Sequence, residues 1–129
     1  MTPTKTQRIA YWVFTLLFLI PMAGSGIPEL FVGGPAATAA TMIHLGYPLY
    51  LMRILGFAKL LGAVAILARK PRRLMEWAYA GYTIDLLGAT ASHLFAGDGA
   101  LALVPVVILP FVLASLYFRV RIDEGTTAA

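Results

Sequence analysis

Between Arg8 and Glu29 the chain carries no charged residue, and Ile9 to Ile20 is apolar or aromatic almost throughout. Crossing the hydrocarbon of a bilayer as a helix takes about 20 predominantly apolar residues, so residues 9–28 predict a first span. The pattern loosens at Pro21 and again at Gly24-Ser25-Gly26. Gly99 to Phe118 is equally free of charge, and residues 101–118 predict a span kinked at Pro105 and Pro110. Two further spans, residues 49–68 and 74–94, are weaker by hydropathy. The first holds Arg53 and Lys59, the second Glu76, Asp85 and His93. In the long connection between spans one and two, Pro35 precedes an Ala-Thr-rich stretch that stops at Gly46. Proline before and glycine after is helix punctuation, and it predicts a short helix over residues 36–45. Gly97-Asp98-Gly99 predicts a tight turn between spans three and four.

The expected fold is an all-α membrane protein: one domain over residues 1–129, a four-transmembrane-helix bundle with a short extra helix on its outer face. Composition agrees. Hydrophobic residues make up 60% of the 129 and charged residues 12%, half the roughly 25% of a soluble domain. The net charge of +4 does not point to nucleic acid, because the basic residues flank apolar runs. Lys5 and Arg8 precede span one; Arg69, Lys70, Arg72 and Arg73 join spans two and three; Arg119 and Arg121 follow span four. The other two connections contain no Lys or Arg. Positive charge stays inside, so both termini and the basic loop are expected in the cytoplasm, which requires an even number of spans. A cleaved signal peptide is the weaker reading of the N-terminus: the apolar stretch runs too far, and Pro21 precedes the small residues. The chain has no cysteine, which removes disulfides, thiol nucleophiles and Cys-ligated metals.

Charge inside a bilayer costs from about 2.5 kcal/mol upward and is paired, interior-facing or functional. At about 1.5 Å of rise per residue, Lys59 and Asp85 fall near the middle of antiparallel neighbours, which makes them the expected pair. Gly81, Asp85, Gly88 and Ser92 form one small and polar stripe, and Gly56, Lys59 and Ala63 another. Small residues let membrane helices approach closely, so the two stripes are expected to meet. The pair either fixes helix register or performs chemistry. Arg53, His93, Glu29, His44 and Asp98 are expected at the outer end of the bundle around a polar cavity. Glu76 reaches Arg72 or Arg73 at helical spacing as a surface contact. The candidate catalytic residues are therefore Lys59, Asp85 and His93; the candidate ligand-binding residues are Glu29, His44, Arg53 and Asp98. His44 and His93 could ligate a metal or haem, but they come from different segments without ligand spacing, and no metal site is expected. Tyr11, Trp12, Tyr47, Tyr50, Trp77, Tyr79 and Tyr117 read as interfacial anchors.

His44-Leu45-Gly46-Tyr47-Pro48 is followed by Leu55-Gly56-Phe57-Ala58-Lys59-Leu60-Leu61-Gly62-Ala63, by Pro71-Arg72-Arg73-Leu74-Met75-Glu76-Trp77-Ala78-Tyr79-Ala80-Gly81, and by Ser92-His93 and Gly97-Asp98. In this order they resemble the DoxX-like family of small bacterial membrane proteins, over about two-thirds of the chain. The resemblance implies a four-helix bundle in the bacterial inner membrane. Relatives implied by it include the membrane subunit of a thiosulfate:quinone oxidoreductase and a eukaryotic assembly chaperone for neurotransmitter receptors. Glu29 stands where the family pattern leads one to expect a lysine, reversing a charge, and the absence of cysteine argues against sulfur transfer.

Three functions compete. One is a subunit that binds a quinone or other lipophilic ligand and is associated with membrane redox chemistry, with electrons supplied by a partner or a cofactor of unknown identity. Another is a non-redox, chaperone-like or ligand-carrying bundle with a membrane-protein partner or a second copy of itself. The third is a stand-alone membrane enzyme using Lys59, Asp85 and His93 for acid–base chemistry on a hydrophobic substrate.

Overall fold

A computed structural model describes residues 2–31 and 36–127. The described residues form five helices and no strand: α1 (Lys5–Phe31), α2 (Ala36–His44), α3 (Tyr50–Ala68), α4 (Arg72–Phe95) and α5 (Leu103–Thr127). The four long helices pack as a closed ring, α1 against α3 and α5, and α4 against α3 and α5. The short α2 stands between α1 and α3 in the chain, as expected; Pro35, expected to open it, lies outside the described residues.

Helices α1, α3 and α5 are long and apolar enough to cross a membrane. Helix α4 has the length, but it carries Arg72, Arg73, Glu76 and Asp85. Large apolar side chains lie exposed along every long helix, among them Ile20, Val64, Ile84 and Val107. Water would not tolerate so much uncovered apolar surface and lipid does. The chain is a membrane protein.

The core is a column of large side chains from all four long helices: Phe18 and Met22 of α1, Ile66 of α3, Met75, Tyr79, Tyr82 and Leu86 of α4, and Val112 of α5. On α4 those positions recur at helical spacing, and they are not the small stripe expected to face α3. Gly81 and Gly88 have open space where a Cβ would stand. The close approach forms elsewhere, between α1 and α3. A Cβ on Gly56 would stand 2.8 Å from the Gly26 carbonyl oxygen and 2.8 Å from the Leu30 nitrogen.

Helix α1 runs unbroken through Pro21, Gly24-Ser25-Gly26 and Pro28, the stretch where its apolar pattern loosens. Membrane helices tolerate such breakers because neighbouring groups re-satisfy the backbone. Deeper in the bundle, three buried hydroxyls are joined in a directed chain, while that of Tyr11 has no partner among the described residues. Thr15 donates to the Tyr11 carbonyl at 2.6 Å, so its oxygen accepts from Ser115 at 2.6 Å, which in turn accepts from Tyr79 at 2.7 Å. Each hydroxyl has one proton to give, which fixes the direction and ties α1, α4 and α5 together.

Candidate functional site

Two helix ends build the upper part of the site by the same device. At the end of α2, Tyr47 N–H bonds the Met42 carbonyl and Gly46 N–H bonds that of Ile43; at the end of α4, Asp98 N–H bonds His93 and Gly97 N–H bonds Leu94. Gly46 and Gly97 have φ of 80° and 82°, the left-handed conformation this double-bonded helix stop needs. The chain is folded back at both places, and the residue after each glycine becomes functional geometry. Asp98 comes over His93, whose Nδ1 lies 3.3 Å from Oδ2. His44 Nε2 reaches the same oxygen at 2.8 Å. Asp98 is thus bridged by two imidazoles, and the His93 bond, assisted by that of His44, holds its carboxyl below the usual carboxylate range. Tyr47 meets Ser92 at 2.6 Å. Ser92 gives its proton to the Gly88 carbonyl, so Tyr47 must be the donor. These side-chain bonds tether α2, which lacks the extensive packing the long helices share.

Beneath this roof is a cavity of about 540 Å³ walled by all five helices, including Met22, Thr41, Leu55, Leu86, Ser92 and Val104. That volume lies in the roughly 300–1,000 Å³ range of small-molecule sites, and the mixture of apolar wall and few polar groups is typical of them. Its floor holds Glu29, Lys59 and Asp85, and His93 joins from above. Among the described residues no three His, Asp or Glu side chains are grouped to hold a metal ion.

The expected ion pair between Lys59 and Asp85 does not form. Lys59 Nζ donates to both Glu29 carboxylate oxygens at 3.0 Å and to Ser25 Oγ at 3.3 Å. Ser25 passes its own proton to the Met22 carbonyl. All three ammonium protons are therefore taken. The reason lies in the helix approach: with Gly26 against Gly56 and the Lys59 Cβ, one turn of α1 presents Ser25 and Glu29 directly to Lys59. Glu29, 5% exposed, is a floor residue and not part of the outer rim where its position at the end of span one suggested it.

Asp85 is left over. It is partly buried, lies on the cavity floor, and takes part in none of the ion pairs among the described residues. A carboxyl group donates a hydrogen bond when protonated and only accepts when ionised, so it can serve a carbonyl or a hydroxyl in the cavity. His93 must give its Nδ1 proton to ionised Asp98, which leaves Nε2 as its free ring nitrogen. Of the other expected site residues, His44 and Asp98 act above the cavity as its latch, and Arg53 is exposed on α3 outside its lining. Glu76 bonds Arg72 at 2.8 Å on the surface.

Sequence reasoning missed Ser25, Tyr47, Ser92 and Tyr82. Tyr82 donates to the Lys59 carbonyl and pins α4 to α3. Ser25 and Glu29 stand four apart beside Gly26, a spacing that could have shown them as a joint acceptor; Tyr47 and Ser92 belong to the family-like motifs but read as an anchor and a packing residue.

The family model described as DoxX-like matches residues 13–115 of the 129, covering every residue of the cavity wall. Comparison with curated proteins and with solved structures gave no match.

Proposed function

The chain belongs to the DoxX-like family, and on that premise we propose that it binds a lipophilic molecule with a quinone-like head in the cavity beneath α2, serving membrane redox chemistry. The observation that carries this reading is the polar floor: a Glu29–Lys59 pair already satisfied, with Asp85 beside it unpaired. Asp85 protonated donates to a quinone carbonyl; Asp85 ionised accepts from a quinol hydroxyl. One group thereby suits both oxidation states and can carry the proton between them. Lys59 acts by holding Glu29, and not by direct contact with the ring. The electrons come from a partner protein or a bound cofactor, since a chain without cysteine cannot hold an iron–sulfur cluster through thiolates.

In the same reading α4 is a fourth span, both termini lie in the cytoplasm of a bacterial inner membrane, and α2 covers the outer face. The basic residues of both termini and of the α3–α4 connection support this orientation. Because the chain has no cysteine, single-cysteine variants at Thr127 and Gly99 test it: an impermeant maleimide added to cells should label Gly99→Cys and spare Thr127→Cys. The reverse pattern overturns the orientation.

For the ligand, organic extracts of the purified protein should contain quinone, and added quinone should raise its unfolding temperature. Asp85→Leu should abolish the rise. Extracts free of quinone together with no thermal shift defeat the proposal. The sharing of one cavity by Asp85 and His93 also favours a second reading, acid–base catalysis on a hydrophobic substrate, which predicts turnover lost in both Asp85→Asn and His93→Gln.

A further inference from the structure

Helix α3 faces two spaces. Besides the interior cavity there is a groove of about 410 Å³ between α3 and α4, walled by Ala58, Leu61, Ala65, Leu74, Trp77 and Gly81 among others. Leu55, Lys59 and Asp85 line both spaces. From Asp85 to Leu74 the groove runs for about 16 Å along α4. Ala58, Leu61, Trp77 and Gly81 are exposed, so the groove opens sideways towards lipid. Two glycines shape it. Gly62 admits the Tyr82 ring, which would stand 3.0 Å from a Cβ there, while Gly81 leaves space with nothing within 4 Å of a Cβ.

We infer that this groove holds the hydrocarbon tail of the molecule whose head occupies the interior cavity, the two parts joined past Asp85. The inference rests on the ligand reading above and adds the ligand's shape and its route: a polar head on a long single chain, entering sideways between α3 and α4. A bulk phospholipid fits less well. Its head belongs at the membrane surface and its tail ends at mid-depth, whereas this groove has its polar end at Asp85 and is apolar towards Trp77. The seam on the other side of α3 cannot serve as the entrance, because Gly26 and Gly56 bring α1 and α3 into backbone contact there.

The test uses the full chain in lipid nanodiscs, with a tailless dimethoxy-methyl-benzoquinone and the same ring bearing a decyl chain. Gly81→Leu fills the groove, and its open surroundings and better helix propensity predict unchanged thermal unfolding. It should weaken binding of the decyl compound at least tenfold and leave the tailless one unchanged. Gly88→Leu fills the interior cavity and should weaken both. Both compounds affected alike by Gly81→Leu, or neither, overturns the inference. Should the wild type bind neither quinone, the quinone reading fails by itself, and a fatty acid carrying a chain diazirine decides the groove. Photolabelling concentrated at Leu61 and Trp77 and lost in Gly81→Leu supports a tail site. Labelling equal to that at Leu17 of α1 and Val107 of α5 overturns it.

Discussion

The two sides of α3 solve opposite problems. Towards α1 the seam is shut: Gly56 lies on the Gly26 carbonyl and the Leu30 nitrogen, and Lys59 reaches across to Glu29 and Ser25. Towards α4 the seam is pinned by Tyr82 at the Lys59 carbonyl but open beside it at Gly81. Glycine does contrary work on the two sides. At Gly56 the missing Cβ is space taken by a neighbour's backbone; at Gly81 it is space left empty. A rigid, charge-satisfied seam can hold a ligand floor in place while the looser seam admits the ligand.

The largest expected effect separates the two glycines. Gly56→Leu meets immovable backbone, and overpacking of this kind costs about 1–3 kcal/mol or more. The variant should lose its cooperative thermal transition or be recovered poorly from membranes, while Gly81→Leu unfolds as the wild type does. Equal behaviour of the two would remove the distinction between the seams. Next comes the ion pair. Lys59→Met leaves Glu29 as a buried unpaired charge, an expected loss of about 3–5 kcal/mol. The double variant Lys59→Met/Glu29→Leu should recover most of that loss in detergent unfolding. A double variant no better than the single would mean that the pair itself holds the helices.

Tyr82→Phe is expected to be milder. Hydrogen bonds between membrane helices average about 0.6 kcal/mol, so its unfolding should shift slightly, with wider α3–α4 separation detectable by spin-label distances. The smallest effect is at the roof. The folded Asp98 carboxyl titrates below its unfolded value because of His93 and His44. Its contribution is therefore present above the unfolded value near about pH 4 and is lost as the pH falls through the lower folded value. Asp98→Asn should lower stability slightly at neutral pH, where that contribution is present, and flatten the acid limb, so that variant and wild type converge at low pH. An acid limb surviving in Asp98→Asn would assign it to another group.

The apolar runs made the long helices legible, and Gly46 and Gly97 marked both helix stops. The residues of the floor were legible as well, because Lys59 and Asp85 stand out in apolar surroundings. Their pairing was not. Depth along a helix follows from counting, but partner choice depends on which helix comes close. Two glycines at the α1–α3 crossing, Gly26 and Gly56, decide that, while Gly81 and Gly88 of α4 face open space.

Hydrophobic length and the distribution of basic residues are local properties, and they specify this protein's membrane class and its helices before any packing is considered. Contacts between segments far apart in the chain are another matter. Glu29 takes Lys59 and leaves Asp85 unpaired, α2 is latched by His44 to Asp98, and a lateral groove ends on the cavity floor. Each of these depends on distances of a few ångströms between helices, set by whichever side chains fit, and a linear pattern holds no record of that fit.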